Sequence, residues 1–344
     1  MNILYGVQVT GNGHISRSRE IIRCLRKKGH NIFVILSGRD PALLWDMDEF
    51  QPYSTFKGLT FSTYRGKIKY FQTLINLDFK QFFTDIGAFD ASSYDIVITD
   101  FEPVTAWIAS RHKKQSIGIG HQYAFYKKIP TAGSNPFASY IIRHFASVDF
   151  PIGLHWHHFN ESILPPVVPM FNNGRRPVIE NKILVYLPFE EPEDIFKLLK
   201  SFSNYNFYVY HKFEKPSLKE NIRLCPFSRN GFLKDLMECS GVITNAGFEL
   251  VSEALALGKK ILIKPLAGQM EQLSNARAIE ILNIGQVMKR FDMARVEAFL
   301  KKPQATSINY PYVAEIIADI IDKGSWAGME KIVRDSWANV NITY

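Results

Sequence analysis

At 344 residues the chain is longer than one core comfortably serves and suits two domains, which typically hold about 100–200 residues each. Hydrophobic residues at 46% and charged residues at 22% exclude a largely disordered polypeptide. Lys plus Arg at 41 against Asp plus Glu at 33 leave a net charge of +8, which favours an anionic partner such as nucleotide phosphates, an acidic membrane surface or nucleic acid.

Residues 2–10 form a β-type run that breaks into Gly11-Asn12-Gly13-His14, after which Ile21, Ile22 and Leu25 recur at helical spacing until Gly29. The short apolar opening has no basic leader and reads as a strand, not a signal peptide. The helix ends in Arg23, Arg26, Lys27 and Lys28, a basic run that either meets an anion or simply complements the helix dipole. A second buried strand over 31–36 completes a β-turn-α-β unit, the building block of a parallel sheet. Strands at 95–99 and 115–120 flank an amphipathic helix over 104–110, so the first half reads as doubly wound α/β.

Pro165, Pro166, Pro169, Asn172, Asn173, Gly174 and Pro177 then crowd a stretch without sustained period. The expected division is a domain over 1–160, a linker over 161–181 and a second domain over 182–344. In the second, strands at 183–187, 207–211, 241–244 and 261–264 alternate with helices over 192–201 and from Phe248, again α/β. Cys24, Cys225 and Cys239 lie far apart with no CxxC pair, which fits reduced thiols in the cytoplasm and argues against disulfides and structural zinc. No stretch reaches the ~18–20 apolar residues of a membrane span, so membrane contact is expected only at the periphery.

Ligands of open α/β sheets gather at the carboxyl ends of strands, beside helix amino ends. Gly11, Asn12, Gly13 and His14 fall at such an end, either as a loop where backbone meets ligand or as a plain tight turn. Asp100 closes a strand at the same edge. Its carboxylate can accept the Nδ1 proton of His14, leaving Nε2 to take a proton from a hydroxyl, or it can cap the helix that opens at Glu102-Pro103. In Thr244-Asn245-Ala246-Gly247-Phe248-Glu249 a strand runs into a helix whose first N–H groups suit a diphosphate. Glu249 and Glu253 lie one turn apart, where a carboxylate suits ribose hydroxyls; the other reading is an exposed acidic face.

The segment 243–276, ITNAGFELVSEALALGKKILIKPLAGQMEQLSNA, resembles the donor-binding signature of the UDP-glycosyltransferase and MurG-like GT-B superfamily. From GNGHISRSREI to its carboxyl-terminal lobe, the chain also resembles a little-described microbial family within that group. The resemblance implies a GT-B fold, two Rossmann-like doubly wound parallel-sheet domains facing a central cleft, with acceptor on the first and nucleotide-sugar on the second. It implies transfer of a sugar from a UDP-linked donor to an acceptor hydroxyl, with inversion and without metal or cofactor, the nucleotide-sugar being a substrate. His14 and Asp100 match the deprotonating dyad. Within the donor segment that includes Ala246, Phe248 and Glu249, Asn245 stands where many relatives place a histidine on the diphosphate, Gly247 matches the motif glycine and Glu253 the residue that grips the ribose. Glu271 and Gln272 match the pair on the donor sugar, with Gln269 a rival, and Phe227 the aromatic that stacks on the base. Two departures stand out: Leu187-Pro188-Phe189-Glu190-Glu191 replaces a small Gly-Ser loop, and Asn245 removes a possible positive charge.

His121 and Gln122, after the strand ending at Gly120, are further acceptor-cleft residues, or a loop without a role. His155 and His157, with Trp156 and His158 between and beside them, invite a metal reading, but no carboxylate or cysteine stands at ligand spacing and no metal is expected. The stretches 64–83 and 123–150 mix aromatics with Arg65, Lys67, Lys69, Lys127, Lys128 and Arg143. They suit an anionic membrane bearing a lipid-linked or glycan acceptor of the cell envelope, or ordinary helices with snorkelling cations. No nucleic-acid module is present, and nucleic acid is not an expected partner. The rival functions are a GT-B nucleotide-sugar epimerase or hydrolase, and a non-catalytic nucleotide-sugar or polyanion binder.

Overall fold

The structure, a computed structural model, describes residues 1–343 apart from 45, 60–62, 65, 66, 69–77, 135, 172–175, 304, 325 and 327. Apolar runs such as NILYGVQ and NIFVILS, buried along nearly their whole length, form strands covered on both faces, as parallel sheets require. The first half of the chain runs β1 (Asn2–Gln8), α1 (Asn12–Lys27), β2 (Asn31–Ser37), β3 (Tyr53–Phe56), the short β4 (Thr63–Tyr64) and β5 (Lys67–Ile68), then α2 (Phe79–Ala88) and β6 (Ile96–Asp100). It continues with α3 (Pro103–His112), β7 (Ser116–Gly120), α4 (His121–Ala124), α5 (Pro136–His144) and β8 (Phe150–Gly153). Six of these strands make one sheet in the order β3-β2-β1-β6-β7-β8, and every pairing in it is parallel.

A second sheet repeats the plan. Its elements are β9 (Ile179–Tyr186), α6 (Pro192–Leu199), β10 (Asn206–Tyr210), β11 (Ser217–Lys219), β12 (Ile222–Cys225), α7 (Arg229–Glu238), β13 (Cys239–Asn245), α8 (Phe248–Ala256), β14 (Lys260–Lys264), α9 (Met270–Leu282) and β15 (Gln286–Val287). The order is β11-β12-β10-β9-β13-β14-β15, with β11 the antiparallel edge. Among the parallel strands of each sheet the order reverses once, between β1 and β6 and between β9 and β13, and such switch points open a crevice at the strand ends. α10 (Met293–Lys301), β16 (Ser307–Asn309), α11 (Val313–Lys323), α12 (Met329–Ala338) and β17 (Asn341–Thr343) complete the chain.

Three sequence expectations change. Gly11 is the N-cap of α1, so Asn12, Gly13 and His14 form its first turn and not a loop before it. β9 begins at Ile179, inside the stretch expected to be linker, and Asn172, Asn173 and Gly174 lie outside the described residues. The basic run at the end of α1 serves structure: Arg23 pairs with Glu20 and Glu49, Arg26 donates to the Gln51 carbonyl, and Lys28 pairs with Asp319.

That last pair belongs to a return of the chain. α11 buries Val313, Ala314, Ile317, Ala318, Ile320 and Ile321, the three-and-four spacing of an amphipathic helix, and packs along α1 of the first half. Tyr312 donates to Glu20 at 2.9 Å, and His30 meets Asp322 at 3.2 Å. One apolar cluster therefore runs from Ile3 and Val34 through Trp156 to Phe248, Val251 and Ile317. Cys24, Cys225 and Cys239 are free and buried, and no helix among the described residues is long and apolar enough to cross a membrane.

Candidate active site

At the first switch point β1 delivers the chain into α1, whose amino end has no side-chain cap and no acidic residue in its first turn. One face of that helix carries His14 and, three residues on, Arg17. Asp100, the last residue of β6, is fully buried beneath them. Its Oδ1 lies 2.8 Å from His14 Nδ1 and also accepts from Arg17 Nη2, while its Oδ2 accepts from Arg17 Nε at 3.0 Å and from Ser18 Oγ at 2.7 Å. Burial pushes the Asp100 carboxyl up, but the charges of Arg17 and His14 and their hydrogen bonds outweigh it and hold the group down at about 2. Asp100 is thus an anion that can only accept. It can accept the proton of His14 Nδ1, an arrangement in which a neutral ring would present its lone pair on Nε2, and the ring keeps 16% of its surface exposed. Asp100 caps no helix, because Glu102 does so, accepting from the Val104 and Thr105 amides at 2.7 and 2.8 Å.

At the second switch point Asn245 ends β13 and Gly247 is the N-cap of α8, again without a side-chain cap. Asn245 therefore belongs to the strand, not to the helix opening. Its amide donates to the Lys264 carbonyl at 2.9 Å and reaches Glu190 at 3.4 Å, and Glu190 forms a buried ion pair with Lys264 at 2.6 Å. The loop that departs from the glycosyltransferase pattern thus folds its Glu190 onto Lys264. Gln272 is turned onto backbone, its Oε1 accepting from the Leu266 amide at 2.9 Å and the Ala246 amide at 3.3 Å. Through that oxygen the side chain braces the strand-to-helix turn, whereas Gln269 Oε1 and Asn245 Oδ1 are buried acceptors with no hydrogen-bond partner among the described residues.

Across the crevice the two halves touch through polar side chains. Arg17 Nη1 pairs with Glu249 of α8, Ser16 Oγ donates to Glu253 at 2.7 Å, and Asn12 donates to the Tyr186 hydroxyl at 3.4 Å. Glu249 and Glu253 thus face α1 and do not form an exposed acidic face. A Cβ on Gly13 would stand 2.7 Å from a Glu249 carboxylate oxygen, which is the close approach that position requires. Burial pushes the Glu253 carboxyl up to about 7, against the lowering effects of the Ser16 hydrogen bond and the Arg229 charge. Phe227 stands by Tyr186, their ring centroids 6.2 Å apart.

His121 is fully buried, stacked on Phe248 at 4.1 Å with its ring nitrogens against the Leu154 carbonyl at 2.9 Å and Asn275 Oδ1 at 2.6 Å. It joins the halves and does not line an open acceptor surface; its neighbour Gln122 donates to Glu271 at 3.1 Å. His155, His157 and His158 each accept a backbone amide through Nδ1, from Trp156, Phe159 and Asn160, and lie beyond β8, so no shared strand face aligns them. Among the described residues no three His, Cys, Asp or Glu side chains group as a metal site. Arg65 and Lys69, and the side chain of Lys67, lie outside the described residues.

The structure brings His14 and Asp100 together, sets them opposite the amino end of α8, and draws Glu249 and Glu253 against α1. Sequence reasoning missed Arg17, Ser18 and Ser16. The HISR spacing, which puts Arg17 on the His14 face, is the signal that identifies the first of them.

A profile described as glycosyl transferase family 1 matches residues 1–303. Among solved structures, the glycosyltransferase SnogD from Streptomyces nogalater is similar at 14% identity, with 94% of this chain and 99% of that one covered and a TM-score of 0.56. LpCGTa in complex with UDP is similar at 14% identity over 97% of each chain, TM-score 0.61, and glycosyltransferase VinC in complex with DTDP at 13% identity over 97% of this chain and 100% of that one, TM-score 0.52. At such identities the likeness is one of fold, the GT-B pairing of two Rossmann-like domains across a cleft. No curated protein sequence matches the chain.

Proposed function

Since the chain belongs to glycosyl transferase family 1 and is a glycosyltransferase of GT-B fold, we propose that it moves a sugar from a UDP-linked donor to the hydroxyl of an acceptor held by its first half. The observation that carries the reading is the 2.8 Å contact of His14 Nδ1 with Asp100 Oδ1, opposite the uncapped amino end of α8. Nε2 of His14 takes the proton of the acceptor O–H. The electron pair of that bond, on oxygen, forms the new bond to the anomeric carbon. The bond from that carbon to the phosphate oxygen breaks, its pair leaving with the nucleoside diphosphate, and a single displacement inverts the centre. N–H groups and the dipole at the start of α8 stabilise the leaving charge, so this reading assigns no metal to the step.

The donor assignment draws support from LpCGTa and VinC, which were crystallised with UDP and DTDP. In the proposed complex Glu253 exchanges Ser16 for ribose hydroxyls, Phe227 meets the base, and Gln269 and Glu271 face the sugar. A lipid-linked acceptor would bring the enzyme to the anionic inner face of the membrane, a placement supported by exposed Phe79, Phe83 and Trp107 beside exposed Lys80.

The test pairs binding with turnover. UDP, dTDP and GDP and their sugar conjugates are screened by thermal shift, since a ligand of the native state raises its stability. With the donor so identified, His14→Ala is expected to keep the shift and to lose about 10²–10⁴-fold in transfer rate. Full transfer by His14→Ala overturns the base assignment, and the absence of any nucleotide shift overturns the donor site.

A further inference from the structure

Arg17 is only 1% exposed, yet its charge is answered on two sides: Nε and Nη2 fork onto Asp100, and Nη1 forms an ion pair with Glu249 from the other half of the molecule. A buried guanidinium is tolerated only where its charge and its donors are met. Space has been cleared for this one. A Cβ on Gly120 would lie 3.2 Å from Arg17 Nη2, and one on Gly13 would collide with Glu249. Nη2 also lies 3.2 Å from His14 Nδ1, so guanidinium and imidazole sit on the same carboxylate oxygen.

We propose that Arg17 is the positioning residue of the His14–Asp100 pair, and that its contact with Glu249 makes the setting of the ring depend on the second half of the molecule being docked. The inference rests on the proposed role of His14. The fork holds both carboxylate oxygens of Asp100 in one plane, which fixes the direction from which His14 Nδ1–H is received. The positive charge also offsets that of Asp100, which on its own would favour the protonated ring, a form that cannot take up a proton. The charged and titratable groups facing this centre include Asp100 from β6, Glu249 from α8, Tyr5 from β1, and His121 and Tyr123 from α4. When the halves part, Nη1 loses Glu249 and the fork loses its outer anchor, so base and donor site are aligned together.

The experiment follows the imidazoles of the full chain by nitrogen-15 NMR through a pH titration. The chain has nine histidines, and the His14 signals are those absent from His14→Gln. In Arg17→Gln the His14 ring is expected to show a mixture of the Nδ1–H and Nε2–H tautomers in place of one. Glu249→Ala, which keeps Arg17 and cuts only the cross-cleft contact, is expected to give the same mixing to a smaller extent. A merely structural Arg17 would lower the melting temperature and leave the tautomer as it is; an unchanged His14 tautomer in folded Arg17→Gln and Glu249→Ala overturns the proposal. Should Arg17→Gln not fold, Arg17→Lys carries the test, because it keeps the charge and loses the fork: tautomer mixing supports the proposal and a wild-type spectrum overturns it. These readouts involve no turnover. An active His14→Ala enzyme therefore sinks the base assignment and leaves the positioning geometry to stand or fall on the spectra.

Discussion

The two switch points occupy corresponding places in two sheets whose parallel strands are wound on one plan, and they are built from opposite materials. At the end of β6 the buried groups are ionised: Asp100 carries a negative charge and is answered by Arg17, whose remaining donor crosses to the other half. At the end of β13 the side chains nearest the turn are neutral amides, Asn245 and Gln272, and both hydrogen-bond to local backbone. The charges there, Glu190 and Lys264, cancel each other. A chemically active group needs a defined protonation state, which charged neighbours impose. A cradle for a diphosphate needs only a stiff turn with free N–H groups, which neutral braces supply without competing for the anion. Under the proposed function, chemistry falls to the first half and donor binding to the second.

Breaking the charged side should have the largest effect. Asp100→Asn puts an amide where Arg17 and Ser18 donate and leaves the buried guanidinium short of a counter-charge. A stability loss of about 3–5 kcal/mol is expected by urea unfolding, together with loss of transfer. If the variant is as stable as wild type, the buried charge network does not carry the weight given to it.

Breaking the neutral side should cost less and read out differently. Gln272→Ala uncovers the Ala246 and Leu266 amides, for about 1–3 kcal/mol, and loosens the turn before α8. Donor KM should rise while kcat changes little; a fall in kcat with donor KM unmoved would place Gln272 in the chemistry instead.

Glu253 sharpens the comparison through pH. Its carboxyl has an ordinary value of 4.5 and is pushed up to about 7 in the fold, chiefly by burial. Below 4.5 folded and unfolded forms are both protonated and the group has no effect. Between these values the folded form binds more protons, so stability falls as pH rises and the loss is complete above about 7. Glu253→Gln is expected to match wild type in acid and to melt higher in mild alkali, by about 2–4 °C per kcal/mol relieved. Parallel melting curves across that range would show that Glu253 is not buried as described.

Much of this fold was legible in the chain because it is local. Apolar runs bounded by glycine and the β-turn-α-β opening depend on residues within one element of each other, and β1, α1, β2 and β6 fell within a few residues of expectation. The meeting of His14 with Asp100 was legible for a related reason: Asp100 ends β6, His14 lies in the first turn of the helix that follows β1, and adjacent parallel strands bring such ends together. Arg17 was within reach, since helical spacing alone puts it beside His14. What composition and spacing could not reach are the contacts across the crevice. Ser16 meets Glu253 at a separation of 237 positions, and His121 meets Asn275 at 154. Sequence periodicity determined the two sheets, their strand-end loops and the residue types gathered there. Tertiary structure decided that Glu249 answers Arg17, that Gln272 Oε1 braces the turn before α8 and that His121 is buried, because such pairings depend on how two independently patterned surfaces dock, and no local periodicity encodes that geometry.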